Sequence, residues 1–215
     1  MIEKLSGTIA SMIALSLDLD DDNKDVLAYG AYSIIQTLWS ISLVIILGLI
    51  FGVLFEAFII SFAGALLRKY SGGVHASSPN KCAILGAVMS VGQAKFSIIL
   101  GFNSIEKLNF LLCLTSYIVT YYCIYKYSPI DSANKPIVKI ETRTRLKNAS
   151  LKVVHFFLIL TTVSYLLFYK NYNYQLLSLI SSVSVGQLSQ SLSLTPLGHL
   201  AINTLSRTME EIGVK

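Results

Sequence analysis

Long apolar runs separated by short polar breaks dominate this chain. They cover residues 27–52, 53–67, 82–101, 108–125, 153–169 and 174–194. About 20 apolar residues cross a bilayer as a helix, so the pattern predicts an all-α integral membrane protein with about six transmembrane helices. The break between the first two runs is very short, so the second runs back beside the first. The last run is rich in serine and holds Gln175, Gln187 and Gln190. Such a segment is comfortable in lipid only when packed against other helices. Before the first run, Leu5, Ile9, Met12, Ile13 and Leu17 fall near helical spacing, with Ser6, Gly7, Thr8 and Ser11 between them. Residues 1–17 are too short to span. They read as an N-terminal amphipathic interfacial helix, or as a helix packed on the bundle. No internal repeat is visible, and residues 1–215 read as a single polytopic membrane domain.

The polar stretches differ in kind. Asp18, Asp20, Asp21, Asp22 and Asp25 make residues 18–25 an acidic, solvated loop without the ligand spacing of a calcium loop. Residues 126–152 form a basic loop with Lys126, Lys135, Lys139, Arg143, Arg145, Lys147 and Lys152 against Asp131 and Glu141; Pro129 and Pro136 break any helix in its first part. Residues 195–215 are a polar tail. Within the runs, Lys95 stands out. A lysine at that depth is expensive in lipid, so it is expected to face the bundle, water or a partner.

Composition supports the membrane reading. The chain has 215 residues, 53% hydrophobic and 13% charged, with a mean hydropathy of +0.63. A soluble domain carries about 25% charged residues. The net charge of +5 would raise nucleic-acid binding in a soluble protein. Here topology explains it better. Six spans with a cytoplasmic N-terminus leave two cations outside, Lys107 and Lys170, and fourteen inside, with Lys95 in the membrane. That asymmetry places both termini on the cytoplasmic side of the membrane. Met1-Ile2-Glu3-Lys4 lacks a basic n-region, and the acidic cluster follows where a cleavage site would stand, so the N-terminus is not read as a signal peptide. Cys82, Cys113 and Cys123 show no paired spacing, which argues against a disulfide framework.

Chemistry concentrates in residues 68–82, Arg-Lys-Tyr-Ser-Gly-Gly-Val-His-Ala-Ser-Ser-Pro-Asn-Lys-Cys. His75 and Cys82 are a candidate base and nucleophile. On one continuous helix, seven residues apart, they would be separated by about 10 Å of rise, too far for a proton transfer at about 3 Å. The chain supplies the break. Gly72-Gly73 admits backbone angles closed to other residues, and Ser78-Pro79 reads as an N-cap followed by the first residue of a helix. Cys82 then falls in the first turn. There the dipole and the nearby Arg68, Lys69 and Lys81 favour a thiolate, and free N–H groups offer an oxyanion hole. The plain alternatives are a small residue at a helix start and a loop histidine at the membrane surface. Cys113 and Cys123 read as apolar filler, His155 as interfacial, and His199 has no evident partner. A zinc site would need about four ligands, and His75 with Cys82 supplies two, so neither metal nor cofactor is expected.

Arg68, Gly72-Gly73-Val74-His75-Ala76 and Cys82 together resemble the motif of the AgrB family. Those are integral-membrane cysteine endopeptidases of Gram-positive bacteria that process a quorum-sensing pro-peptide. The likeness runs more loosely through the whole chain, in length, hydropathy and a basic mid-chain loop. It implies that His75 and Cys82 are catalytic and that Arg68, Gly72 and Gly73 support the loop. It implies a short AgrD-like precursor with a charged C-terminal tail as substrate, a homodimer, and an active site facing the cytoplasm. The basic loop, through Lys139, Arg143 and Arg145, then both fixes topology against anionic lipid and recruits that tail; Lys81 and Lys95 are further candidates for substrate contact. The resemblance also implies a thioester on Cys82 that an internal Cys or Ser can capture to close a thiolactone or lactone. Two other classes stay open: a small peptide transporter or channel, and a non-catalytic membrane scaffold.

Overall fold

The structure, a computed structural model, describes residues 2–74, 76–102, 106–131 and 137–212. They form eight helices and no strand: α1 (Ile2–Leu17), α2 (Asp21–Ile50), α3 (Leu54–Ser71), α4 (Pro79–Phe102), α5 (Glu106–Tyr127), α6 (Ile140–Asn171), α7 (Tyr174–Leu192) and α8 (Pro196–Glu211). Helices α2, α4, α5 and α6 are long and apolar enough to cross a membrane. Of the other two expected spans, α3 carries Glu56, Arg68 and Lys69, and α7 carries six serines and three glutamines.

The chain divides into two compact units, one ending at Leu43 and one beginning at Val44. In the first, α1 buries Ser6, Ala10 and Ala14, spaced every four residues on one face, and leaves Met12, Leu15 and Leu17 exposed. The acidic stretch is not all loop. Asp18 takes a left-handed conformation (φ 50°), the Asp20 carboxylate accepts the Asn23 N–H at 2.9 Å, and α2 begins at Asp21. Carboxylates at a helix N-terminus satisfy free N–H groups and oppose the dipole favourably, which turns an acidic loop into a helix start.

In the second unit α7 is central and packs against α3, α4, α5 and α6. Its apolar side joins a core that includes Leu67, Ile124, Phe157, Phe168, Leu177 and Ile180. Many of its polar groups are met by neighbours, although the buried Ser182 hydroxyl has no hydrogen-bond partner among the described residues. The Ser178 hydroxyl donates to Glu56 (2.9 Å) and Ser181 to the Ser97 carbonyl (3.1 Å). Asn109 donates to the Leu177 carbonyl (3.0 Å), Ser116 to that of Ser184 (2.7 Å), and the Gln187 amide to the Ser116 hydroxyl (3.2 Å). The serine-rich helix therefore sits where it must, away from any apolar solvent. Close packing of α3 on α7 depends on Gly186, where a Cβ would lie 2.6 Å from the Ile60 carbonyl oxygen.

Two further boundaries differ from the sequence expectation. Helix α3 continues through Arg68 and Lys69 to Ser71, so the loop shrinks to 72–78. The basic stretch 126–152 is largely helical: α5 runs to Tyr127 and α6 starts at Ile140. Beyond Pro136 nothing breaks a helix, and Lys and Arg are good helix formers. Within the polar tail, Pro196–Glu211 form α8. Thr195 caps α8 by accepting the Gly198 N–H at 3.2 Å, with Pro196 at its first position.

Gly186→Val is expected to lower stability by about 1–3 kcal/mol, since the added carbons have no room between α3 and α7. Thermal unfolding in detergent micelles measures this; an unchanged midpoint would show that the two helices separate freely.

Candidate active site

The 72–78 loop is a hard reversal between the end of α3 and the start of α4. Gly72 has φ 70° and ψ −155°, a region essentially reserved for glycine, and Gly73 has φ 144°. A Cβ on Gly72 would lie 2.2 Å from the Ile130 carbonyl oxygen. The turn is fixed on several sides. The Gly72 N–H closes the last turn of α3 on the Arg68 carbonyl (3.0 Å), and the Ile130 N–H donates to that of Ser71 (3.0 Å). From the core, the Gln190 side-chain amide donates to the Gly72 carbonyl (2.8 Å) and the Ser71 hydroxyl (3.2 Å).

Arg68 points into this turn. Its guanidinium donates to the Val74 carbonyl and lies within electrostatic reach of the Cys82 thiol. A half-buried arginine bound to a carbonyl both fixes the backbone at Val74 and places a positive charge near the thiol. His75 itself lies outside the described residues; the loop is described on either side of it, from Gly72 to Val74 and from Ala76 to Ser78.

Cys82 sits in the first turn of α4, as the Ser78-Pro79 pair predicts. The Ser78 hydroxyl accepts the Lys81 N–H at 3.3 Å, and the Ser78 carbonyl accepts the Cys82 N–H at 3.0 Å. Pro79 has no N–H. Of the free N–H groups anticipated for an oxyanion hole, those of Ser78 and Asn80 are left without a hydrogen bond among the described residues. Cys82 is a free, half-buried thiol, whereas Cys113 and Cys123 are buried. Cys82 is thus the accessible thiol of the three, at a helix N-terminus and within electrostatic reach of Arg68.

The remaining candidates are scattered. Lys81 is 4% exposed and pairs with Glu210 at 2.7 Å. Lys95 is exposed on the outer side of α4. Lys139 and Arg145 are exposed at the start of α6, and Arg143 pairs with Asp131 at 3.1 Å. A shallow groove of about 550 Å³ runs past Ile140, Thr144, Arg145 and Lys152. It meets a second of about 220 Å³ where Leu66 and Tyr70 of α3 face Val153 and Phe156. Sequence reasoning missed Gln190, Ser206 and Glu210. No local signal marks Gln190 as a partner of a loop 118 residues away. The Thr195-Pro196 cap does mark the helix that carries Ser206 and Glu210.

In detergent, Cys82 is expected to react with a maleimide at least about tenfold faster than Cys113 or Cys123, by mass spectrometry of labelled peptides. Equal labelling would remove its distinction as a nucleophile. Gly72→Ala is expected to cost about 1–3 kcal/mol in conformational strain alone, read as a lower melting temperature.

The family model described as accessory gene regulator B, AgrB, matches residues 6–194. A Clostridium perfringens strain 13 protein named AgrB-like protein 2 is 34% identical over 209 residues, spanning 95% of this chain and 96% of the relative. An AgrB-like protein of Clostridium perfringens strain SM101 is also 34% identical, over 210 residues with the same coverage. One from Listeria innocua is 24% identical over 209 residues, covering 96% of this chain and 95% of the relative. No solved structure matches. With the family model spanning helices α1 to α7, and with near full-length relatives above 30% identity, the chain belongs to the AgrB family.

Proposed function

We propose that this protein is a membrane cysteine endopeptidase of a quorum-sensing system, which removes the C-terminal tail of a short AgrD-like precursor peptide. The observation that carries this reading is the placement of Cys82: a half-buried free thiol in the first turn of α4, within electrostatic reach of the half-buried Arg68, in a chain of this family. Helices α2 to α7 are the six spans, with both termini and the 72–78 loop at the cytoplasmic face of the plasma membrane. α3 and α7 cross inside the bundle, shielded by the more apolar helices. The cytoplasm keeps Cys82 reduced. The assembly is a homodimer in contact with membrane lipid, and the whole of residues 1–215 serves one peptidase activity.

His75 takes the Cys82 proton, and the thiolate adds to one backbone carbonyl of the precursor. The Ser78 and Asn80 N–H groups of the turn are free to meet the oxyanion. The carbon–nitrogen bond then breaks, and the leaving amine takes the proton from His75. The peptide remains on Cys82 as a thioester. Attack by a Cys or Ser side chain of the same peptide closes a thiolactone or lactone and returns the Cys82 thiol. Arg68 holds the backbone on which His75 is carried. Exposed cations at the start of α6, Lys139 and Arg145 with Arg143 beside them, meet the charged tail of the precursor.

Co-expression with the precursor encoded nearest the gene tests this. Wild type and the Cys113→Ala/Cys123→Ala protein are expected to release the C-terminal fragment, and Cys82→Ala and His75→Ala to lose at least about a thousandfold in rate. A product one water lighter than the linear fragment marks ring closure. Processing that survives Cys82→Ala would overturn the thioester mechanism.

A further inference from the structure

Helix α8 lies beyond the residues matched by the family model, and it makes little backbone contact with any other helix among the described residues. Its direction is set at a tight corner. A Cβ on Gly198 would lie 2.2 Å from the Leu192 carbonyl oxygen, so the helix leaves the end of α7 at close quarters. Two turns on, its inward side reaches the loop that precedes Cys82. The Ser206 hydroxyl accepts the Ser77 N–H at 3.1 Å and lies 2.8 Å from the Ser77 hydroxyl. The Glu210 carboxylate accepts from that same hydroxyl at 2.7 Å and from the Lys81 ammonium at 2.7 Å. Lys81 closes the ring on Ser77 at 3.2 Å.

This network has two properties that a chance surface contact lacks. It grips the loop and the first turn of α4 together, at Ser77 and Lys81, which flank Ser78-Pro79 and end one residue before Cys82. It also buries the Lys81 side chain to 5% exposure while Glu210 stays 53% exposed. A desolvated ammonium needs its carboxylate and hydroxyl partners.

We propose that α8 is a clamp on the active-site turn, with Ser206 and Glu210 as positioning residues. They hold Ser77 and Lys81 so that the loop carrying His75 and the helix turn carrying Cys82 keep one relative geometry. Glu210 also neutralises Lys81, so that Arg68 rather than Lys81 sets the field at the thiol. Hydrogen bonds from Lys81 and Ser77 hold the Glu210 carboxyl below the ordinary carboxylate range. A depressed carboxyl contributes its stability above its unfolded value and loses it as pH falls through the folded one. The clamp is therefore closed throughout the neutral range. The inference rests on the peptidase reading for its catalytic meaning, but its geometry can be tested without it.

The test uses the full-length Cys113→Ala/Cys123→Ala protein in detergent, with Glu210→Ala, Ser206→Ala and the exchange Lys81→Glu/Glu210→Lys. The first readout is the pH profile of Cys82 alkylation by iodoacetamide. Uncovering Lys81 by Glu210→Ala is expected to speed alkylation at neutral pH about threefold, and the exchange to return the profile toward wild type. A Glu210→Ala profile identical to wild type would overturn the clamp. The second readout is precursor cleavage. Glu210→Ala is expected to lower kcat about tenfold with KM within about twofold, Ser206→Ala to lower it less, and the exchange to recover part of the loss. Wild-type kcat in both single variants would also overturn it. If Glu210→Ala no longer melts cooperatively, Ser206→Ala, which leaves the ion pair intact, decides by the same criteria. If cleavage proves independent of Cys82, the peptidase reading falls and the alkylation profile alone decides the clamp.

Discussion

Lipid offers no hydrogen bonds, and α7 carries six serines and three glutamines. That mismatch governs the arrangement of the second unit. A helix of this composition can exist at membrane depth only if other helices surround it and answer its polar groups. α3, α4, α5 and α6 surround it, and groups of α3, α4 and α5 answer many of its polar atoms, from Glu56 and Asn109 at one end to Ser71 at the other. The same helix needs a small residue where α3 comes closest, and Gly186 provides it. The partners of α7 are then in place for chemistry at its far end, because Gln190 reaches out of the core to the backbone of Gly72.

The candidate site is built from that end outward. A loop as short as 72–78 has little internal structure of its own, and its shape comes from what holds it. Gln190 holds it from the core, Ile130 from the segment after α5, Arg68 from the preceding helix, and Ser206 with Glu210 from the last helix. Each tether comes from a different part of the chain. The loop thus has a defined geometry although two adjacent glycines, free in isolation, begin it.

Much of this was legible in the residues. The apolar runs located α2, α4, α5 and α6, and Gly72-Gly73 with Ser78-Pro79 located the break before Cys82, because these signals act locally: one through steric freedom, the other through a cap and a fixed φ. Arg68 and Lys69 were assigned to the loop because they are charged, but charge does not end a helix, and α3 continues to the glycines. The basic stretch differs from its expected loop for a related reason. Polar composition marks where lipid ends, not where hydrogen-bonded backbone ends, and α6 begins at Ile140, thirteen residues before its expected apolar start at 153. The loop's long-range tethers were invisible. Gln190 looked like an awkward amide in a doubtful span and Glu210 like part of a solvated tail, since nothing in sequence spacing records which distant backbone a side chain meets.

The length of α6 has a mechanical meaning. Its 32 residues extend about 48 Å, against about 30 Å of bilayer hydrocarbon. The apolar part begins near Val153, so the surplus, about 20 Å of rod, lies at the basic end. A single unbroken helix contains no hinge at the membrane surface. Its projecting arm therefore keeps a fixed height and bearing relative to the bundle, and the cations along it are spaced like marks on a ruler, not like beads on a string.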